Sequence, residues 1–263
     1  MMFQKTLLFL GLLPSAFAVA GPFAPAAGQP GSTAIAATSP AIVAWATGFE
    51  QYLPGPNVSA PFDAPSNALG AASGNPVDVV SLGDAGRITL TVSGTIFNGP
   101  GADFAVFENS FSDTFLELAF VEVSSNGVDF FRFPGFSFTA NPISAFGTVD
   151  PTDIDGLASK YRGGFGTPFD LDLLKSVAGL NVDAVTHVRI VDILGDGSVL
   201  DALGRPIYDP TPTTGSGGFD LDGVGVLHFA AAPPIPEPGT LWMFAAGGAL
   251  ALVRATIRGR RAA

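Results

Sequence analysis

The side chains able to do chemistry are few in kind: two histidines, no cysteine, and a series of aspartates set beside glycines. Without cysteine, disulfides, thiolate metal sites and cysteine nucleophiles are excluded. His187 and His228 fall inside predicted strands, flanked by valine and leucine. Such imidazoles read as sheet or core residues. No serine lies in a Gly-x-Ser-x-Gly elbow, so neither a catalytic triad nor a zinc centre is expected.

Carboxylates are the remaining route to catalysis. A glycosidase needs two of them roughly 5–10 Å apart across a cleft. Glu117 and Glu122 share a predicted strand five positions apart, which puts them on opposite faces, and Asp103 and Glu108 have the same odd spacing. A pair drawn from different loops stays open, and with it a secreted polysaccharide-acting hydrolase as the alternative function.

Calcium fits the same residues better. A hard cation takes six to eight oxygens from carboxylates and loop carbonyls, and acidic glycine-rich loops offer both. The clusters are Asp192/Asp196/Asp201, Asp220/Asp222, Asp150/Asp153/Asp155, and Asp103 with Glu108. Asp192, Asp196, Asp220 and Asp222 are the expected metal ligands. None of the clusters has EF-hand spacing: aligning Asp196-Gly197 to that loop puts Leu203 where the bidentate glutamate belongs. A site would therefore be assembled where several loops meet. The competing role for each aspartate is to cap its own turn. Trp45, Tyr52, Tyr161 and Tyr208 are the candidate sugar-stacking platforms, since 23 phenylalanines are on hand to fill a core.

The elements that must carry these residues are strands. Short β-branched and aromatic runs, bounded by Gly, Pro, Asn or Asp, recur at 41–45, 77–82, 87–92, 103–108, 116–124, 130–138, 185–193 and 224–229. Asn126-Gly127 marks a hairpin. Gly (33) and Pro (22) make up about a fifth of the 263 residues, which suits many tight turns and argues against a helical bundle. Several runs are apolar throughout, as in a strand covered on both faces. The fold class expected is mainly β, an antiparallel β-sandwich of jelly-roll type. One short helix is expected over 170–177, with Asp170 as N-cap and Gly179 ending it. Residues 139–166 read as one long Gly- and Asp-rich connection.

The ends differ from the body. Lys5, the apolar run Leu7 to Leu13 and the small residues Ala16, Ala18 and Ala20 form a signal peptide with its cleavage region. The C-terminus carries Pro236-Glu237-Pro238, an apolar stretch from Leu241 to Val253 read as a transmembrane helix, then Arg254, Arg258, Arg260 and Arg261. These three parts resemble the PEP-CTERM sorting signal. The resemblance implies cleavage near Pro236-Glu237-Pro238 by an exosortase-type membrane protease in a Gram-negative bacterium that makes exopolysaccharide.

The expected organisation is 1–20 signal peptide, 21–40 flexible segment, 41–231 sandwich domain and 232–263 sorting signal. Losing Lys5 and the four tail arginines takes the net charge from −11 to −16. Such a surface repels nucleic acid and attracts cations. The stretch from Gly99 to Glu108, the strand ending in Ser124 with Asn126-Gly127, and Gly217 to Asp222 resemble bacterial surface proteins without assigned activity. The body is similar, diffusely, to discoidin-like, galactose-binding-like jelly rolls, which implies a sandwich and no particular ligand. The function expected is non-enzymatic: a structural or adhesive protein of the cell surface or extracellular matrix (biofilm). Its expected partners are signal peptidase, the exosortase and exopolysaccharide, with calcium as the candidate cofactor and no nucleic acid.

Overall fold

The computed structural model describes residues 20–233. The signal peptide, the Pro236-Glu237-Pro238 motif, the apolar C-terminal stretch and the arginine tail lie outside those residues. The chain divides into a body, Met1–Ala230, and a second unit, Ala231–Ala263, of which only residues 231–233 are described. No helix among the described residues is long and apolar enough to cross a membrane.

Sixteen strands follow in chain order. They are β1 (Ile35–Ala36), β2 (Ala44–Trp45), β3 (Gly48–Leu53), β4 (Val80–Ser81), β5 (Arg87–Ile96), β6 (Phe104–Glu108), β7 (Ala119–Ser124) and β8 (Phe131–Arg132). After these come β9 (Phe136–Ser137), β10 (Ile154–Asp155), β11 (Phe165–Phe169), β12 (Val185–Asp192), β13 (Asp196–Leu200), β14 (Pro206–Tyr208), β15 (Asp220–Val226) and β16 (Phe229–Ala231). One six-stranded sheet has the order β1-β11-β6-β15-β2, with β4 also on β15. The other has the order β16-β5-β12-β7-β8, with β3 also on β5. The strands pair antiparallel, and two small ribbons, β9–β10 and β13–β14, complete a sandwich-like, mainly β body.

Alternation on β12 explains the core. Val188 and Ile190 face inward, opposite Leu90 and Ile88 on β5 and Val123 and Val121 on β7. All six are buried against Phe104, Val106, Phe169, Leu221, Val224 and Val226 of the facing sheet. The outward partners are polar: Arg189 sits opposite Thr89 and Glu122, donates to Thr89 and Gln51, and pairs with Glu122 at 3.6 Å. Inward apolar and outward polar positions thus set one register, because a slip by one residue would bury Arg189.

β6 and β15 are buried along their whole length; β6 is apolar up to Glu108, whereas β15 buries Asp220 and Asp222 along with its apolar residues. Their outer face is covered by the N-terminal strands, with Trp45 tilted on Phe107 at 5.2 Å. Gly225 makes room for this cover, since a Cβ there would lie 3.2 Å from both rings. A smaller core of Leu116, Leu118, Phe120, Val149, Ile154, Leu157, Ile193 and Ile207 sits under the long connections.

Four expectations need correction. Residues 170–177 form no α-helix; a single 3-10 turn, Leu171–Leu174, follows Asp170, whose carboxylate accepts from the Asp172 amide at 2.9 Å. One turn buries Leu171 and Leu174, and Val177 and Leu180 beyond it reach the core through further separate turns, without a continuous helix. Residues 21–40, expected to be flexible, are tied down. Gly21 and Phe23 donate to Thr152, Thr33 bonds Tyr161, and β1 pairs with β11. The run 130–138 is split into β8 and β9 at Pro134-Gly135, where proline removes a ladder donor. Within 139–166 a 3-10 turn (Pro151–Asp153) and β10 are held by buried Lys160, whose Nζ donates to the carbonyls of Pro151 and Ile154. Burial lowers that amine to about 8, with Asp155 and Asp150 pulling it back up.

Candidate functional site

At one end of the sandwich several loops converge. β6 ends there at Glu108, β7 is approached through residues 109–118, and β15 begins at Asp220 after the loop 209–219. The cleft between these loops has a volume of about 240 Å³. Its polar lining includes Glu117, Asp220, Asn109 and Thr213, and its apolar lining is Pro76, Phe111, Phe115 and Phe146.

The three phenyl rings form a stack. Phe111 and Phe115 lie 4.6 Å apart, and Phe115 and Phe146 lie 6.0 Å apart, with near-parallel planes in both pairs. Phe115 is buried, but Phe111 is 71% and Phe146 78% exposed. Phe146 also has φ = 65°, a left-handed conformation that disfavours a bulky side chain. Local bonds hold the rim. The Ser110 hydroxyl donates to the Ser112 and Phe115 carbonyls, and the Val149 amide donates to the Thr114 carbonyl at 2.8 Å, joining the Phe146 loop to the Phe115 loop.

The floor is acidic and buried. Glu108 is 1%, Glu117 4% and Asp220 3% exposed. Glu108 Oε2 accepts from the Ser110 amide at 2.7 Å and the Ser159 hydroxyl at 2.9 Å, while Oε1 is buried without a partner. Glu117 accepts from the Thr213 hydroxyl at 2.8 Å. Asp220 accepts from the Ser81 hydroxyl and from Asn109.

Desolvation disfavours the ionised form of each group, and neighbouring carboxylates add to it. Burial, then Glu108 and Asp220, push Glu117 up to about 10 against the Thr213 hydrogen bond. Burial lifts Asp220 to about 7 against its hydrogen bonds from Ser81 and Asn109. Glu108 is raised well above the ordinary range by burial and then by Asp220. None of the ion pairs among the described residues involves Glu108, Glu117 or Asp220.

Behind the cleft a void of about 10 Å³ is bounded by Asp84, Glu117, Asp192, Asp209 and Thr213, together with residues 193–194, 210–211 and Gly218. That is close to the smallest space that holds one water-sized occupant. Asp192 there accepts from the amides of Phe219 (2.7 Å) and Ala85 (2.8 Å), and burial takes it to about 7. Asp209 accepts from the Leu118 amide at 2.7 Å and is raised well above its ordinary value by burial and then by Asp192.

Of the four aspartates expected to bind metal, Asp192 and Asp220 belong to this end of the molecule. Asp222 points its carboxylate at the Ser73 and Gly74 amides, both at 2.9 Å. Asp196 is exposed on β13 and caps Ser198 at 2.8 Å. Asp150 caps the Thr152 turn, and Asp201 is forked by Arg205. Among the described residues no three His, Asp or Glu side chains are grouped to hold a metal ion.

The other candidates separate as well. Glu117 lies on the loop before β7, whereas Glu122 lies within it and pairs with Arg132 at 2.7 Å. Asp103 bonds His228 at 2.7 Å and caps Leu171, and His187 bonds Thr186 at 2.7 Å. Trp45, Tyr52, Tyr161 and Tyr208 pack on or beside strands; Tyr161 is buried and Tyr52 donates to the Ser81 carbonyl.

The aromatic rings at this cleft are thus phenylalanines, a residue type that composition alone assigns to the core. The available signal was local. Phe111 stands in Asn-Ser-Phe-Ser and Phe146 in Ala-Phe-Gly, polar or glycine-bearing contexts without β periodicity. Asp209 carried no such signal. No protein-family model matches the chain, and no curated protein matches its sequence.

Proposed function

We propose that this chain is an exported protein of the cell surface or extracellular matrix of a Gram-negative bacterium, non-enzymatic, that contacts exopolysaccharide through the phenylalanine-rimmed cleft. In this reading signal peptidase removes 1–20, an exosortase-type protease cuts at Pro236-Glu237-Pro238, and the jelly-roll body remains outside. The sorting half rests on the order of proline motif, apolar run and arginine cluster.

The glycan half rests on one observation: Phe111 and Phe146 are displayed over a polar cleft instead of being buried. Flat apolar rings flanked by hydroxyl, amide and carboxylate groups suit a sugar ring, which has an apolar C–H face and polar edges. Mass spectrometry of the natural product tests the first half; an intact chain in the cytosol refutes it. Titration with the native exopolysaccharide tests the second. Phe111→Ala with Phe146→Ala should weaken binding at least tenfold, and unchanged affinity refutes the role of the rim.

Calcium is the proposed stabilising ion. The support is the small void bounded by Asp84, Glu117, Asp192 and Asp209, four acids that are not gathered into a preformed three-ligand group, so that a divalent cation would have to draw them together and displace their protons. A melting temperature that does not move between calcium and EDTA counts against it.

A hydrolase is the second reading, favoured by Glu117 and Asp220 lining one cleft. A glutamate raised to about 10 is protonated at neutral pH and suits a general acid. Turnover of a polysaccharide that is abolished by Glu117→Gln would select this reading over the first.

A further inference from the structure

The molecule shows repeatedly how it holds a cation. In each of the four arginine ion pairs among the described residues, the guanidinium meets a carboxylate and also lies over a phenyl ring. Arg205 joins Asp201 (2.8 Å) and Phe138 (3.6 Å); Arg132 joins Glu122 (2.7 Å) and Phe120 (4.0 Å). Arg189 joins Glu122 (3.6 Å) and Phe130 (3.3 Å); Arg162 joins Asp113 and Phe165. The ring face is negative and the carboxylate anionic, so the two together compensate a partly desolvated cation.

The cleft at the end of β6 has the same pieces and no arginine or lysine in its lining. Phe111, Phe115 and Phe146 supply three stacked ring faces. Glu117 and Asp220 supply two carboxylates, neither in an ion pair with any described residue. Behind them Glu108 adds a third carboxylate, with Oε1 buried and without a hydrogen-bond partner. Three buried acids side by side, with no compensating charge, are costly to ionise unless a cation comes from outside.

The remaining lining narrows the occupant. Asn109, Thr213, Thr214 and Ser216 place amide and hydroxyl groups around the carboxylates. A lysine side chain, a bare methylene stem ending in an ammonium, would leave most of these polar groups unmatched. A sugar ring would engage them with its own hydroxyls and lay its C–H face on the phenyl rim. A cleft of about 240 Å³ lies below the roughly 300–1,000 Å³ of sites for drug-sized ligands, which suits one ring.

We propose that the glycan unit seated in this cleft is a free amino sugar, a deacetylated hexosamine whose ammonium is held by Glu117 and Asp220 under the phenylalanine rim. The proposal rests on the glycan-binding reading above and names the substrate class of that same cleft. It makes the protein selective for glycans with unacetylated amines, since N-acetylation removes the charge.

The test is calorimetric titration of the whole chain, in EDTA, with four probes: β-1,4-linked glucosamine oligomers, the same oligomers N-acetylated, glucose oligomers, and an oligolysine peptide. The expected result is binding of the free-amine oligomer, at least tenfold weakening on N-acetylation, and further weakening from 50 to 500 mM salt. Glu117→Gln and Asp220→Asn should abolish the preference for the free amine. The exposed variant Phe146→Ala, which leaves the acids in place, should lower affinity for the free-amine oligomer without changing the melting temperature by more than a degree or two.

Equal binding of acetylated or neutral oligomers overturns the amino-sugar assignment and leaves the glycan reading standing. Binding of no oligomer at all overturns both. Binding of oligolysine alone overturns the assignment in favour of a basic protein partner.

Discussion

Raising the pH from 4 to 7 is expected to destabilise this protein, opposite to the behaviour of a domain held by salt-bridged carboxylates. The sign follows from proton uptake. Asp192 is 5% exposed and its folded pKa is raised to about 7, whereas the unfolded chain releases that proton near 3.8. Between these values the folded state holds a proton that the unfolded state has lost, so stability falls as pH rises. The stabilisation is fully present below about 4 and is lost by about 7.

Each such proton is worth about 1.4 kcal/mol per pH unit, so Asp192 alone corresponds to roughly 4 kcal/mol over that window. Asp220 is raised to the same value and acts in the same direction. Glu117, raised to about 10, keeps its proton across the whole range and steepens the fall above pH 4.5. Carboxyls held below their ordinary value, Asp172, Asp196 and Asp201, titrate under pH 4 and do not oppose this. Lys160, lowered to about 8, acts only above the window.

Against a total domain stability of about 5–15 kcal/mol, a loss of several kcal/mol is large. Urea unfolding followed by circular dichroism at pH 4.5, 5.5, 6.5 and 7.5, in EDTA, measures it. Glu117→Gln keeps the hydrogen bond from Thr213 and removes one proton, so its free energy should fall less steeply, by about 1.4 kcal/mol per pH unit. Stability that is flat or rises from pH 4.5 to 7.5 without added metal would refute the acidic-floor argument.

Replacing the exposed, left-handed Phe146 by glycine should stabilise the fold by up to about 1 kcal/mol by relieving φ = 65°, seen as a higher urea midpoint, while glycan affinity drops. Arg205→Ala removes the fork on Asp201 and the cover on Phe138, leaving a buried charge; a loss of about 1–3 kcal/mol in chemical denaturation is expected. Gly225→Ala pushes a methyl to 3.2 Å from Trp45 and Phe107 and should cost about 1–3 kcal/mol by the same measurement. If calcium occupies the void behind Glu117, adding it at pH 7.5 should raise the melting temperature, and Asp209→Asn should remove that response.

Much of the body was legible along the chain. Eight predicted strands each contain or overlap observed ones, because alternation and turn residues act over a few positions and need no distant partner. The 3-10 turn after Asp170 was misjudged as a helix, since an N-cap signal marks where a helix can start and not whether packing extends it. Strands β1, β3, β10, β11, β13 and β14 were not expected: two-residue β1 and β10 and glycine-bearing β3, β11 and β13 lack a clear period, and they exist because a neighbouring strand offers hydrogen bonds.

Residue types alone established an acidic, cysteine-free chain of short strands, with carboxylates as its main chemistry and a tripartite C-terminus. Which carboxylates meet was settled by the packing of loops from distant parts of the chain. Glu108, Glu117 and Asp220 span more than a hundred positions, and burial, absent from any local pattern, turns them from ordinary surface acids into proton-holding ones. The same holds for the phenylalanines: composition sends them inward as a class, and only the closing of the 109–118 and 139–150 loops leaves Phe111 and Phe146 in water above the acids.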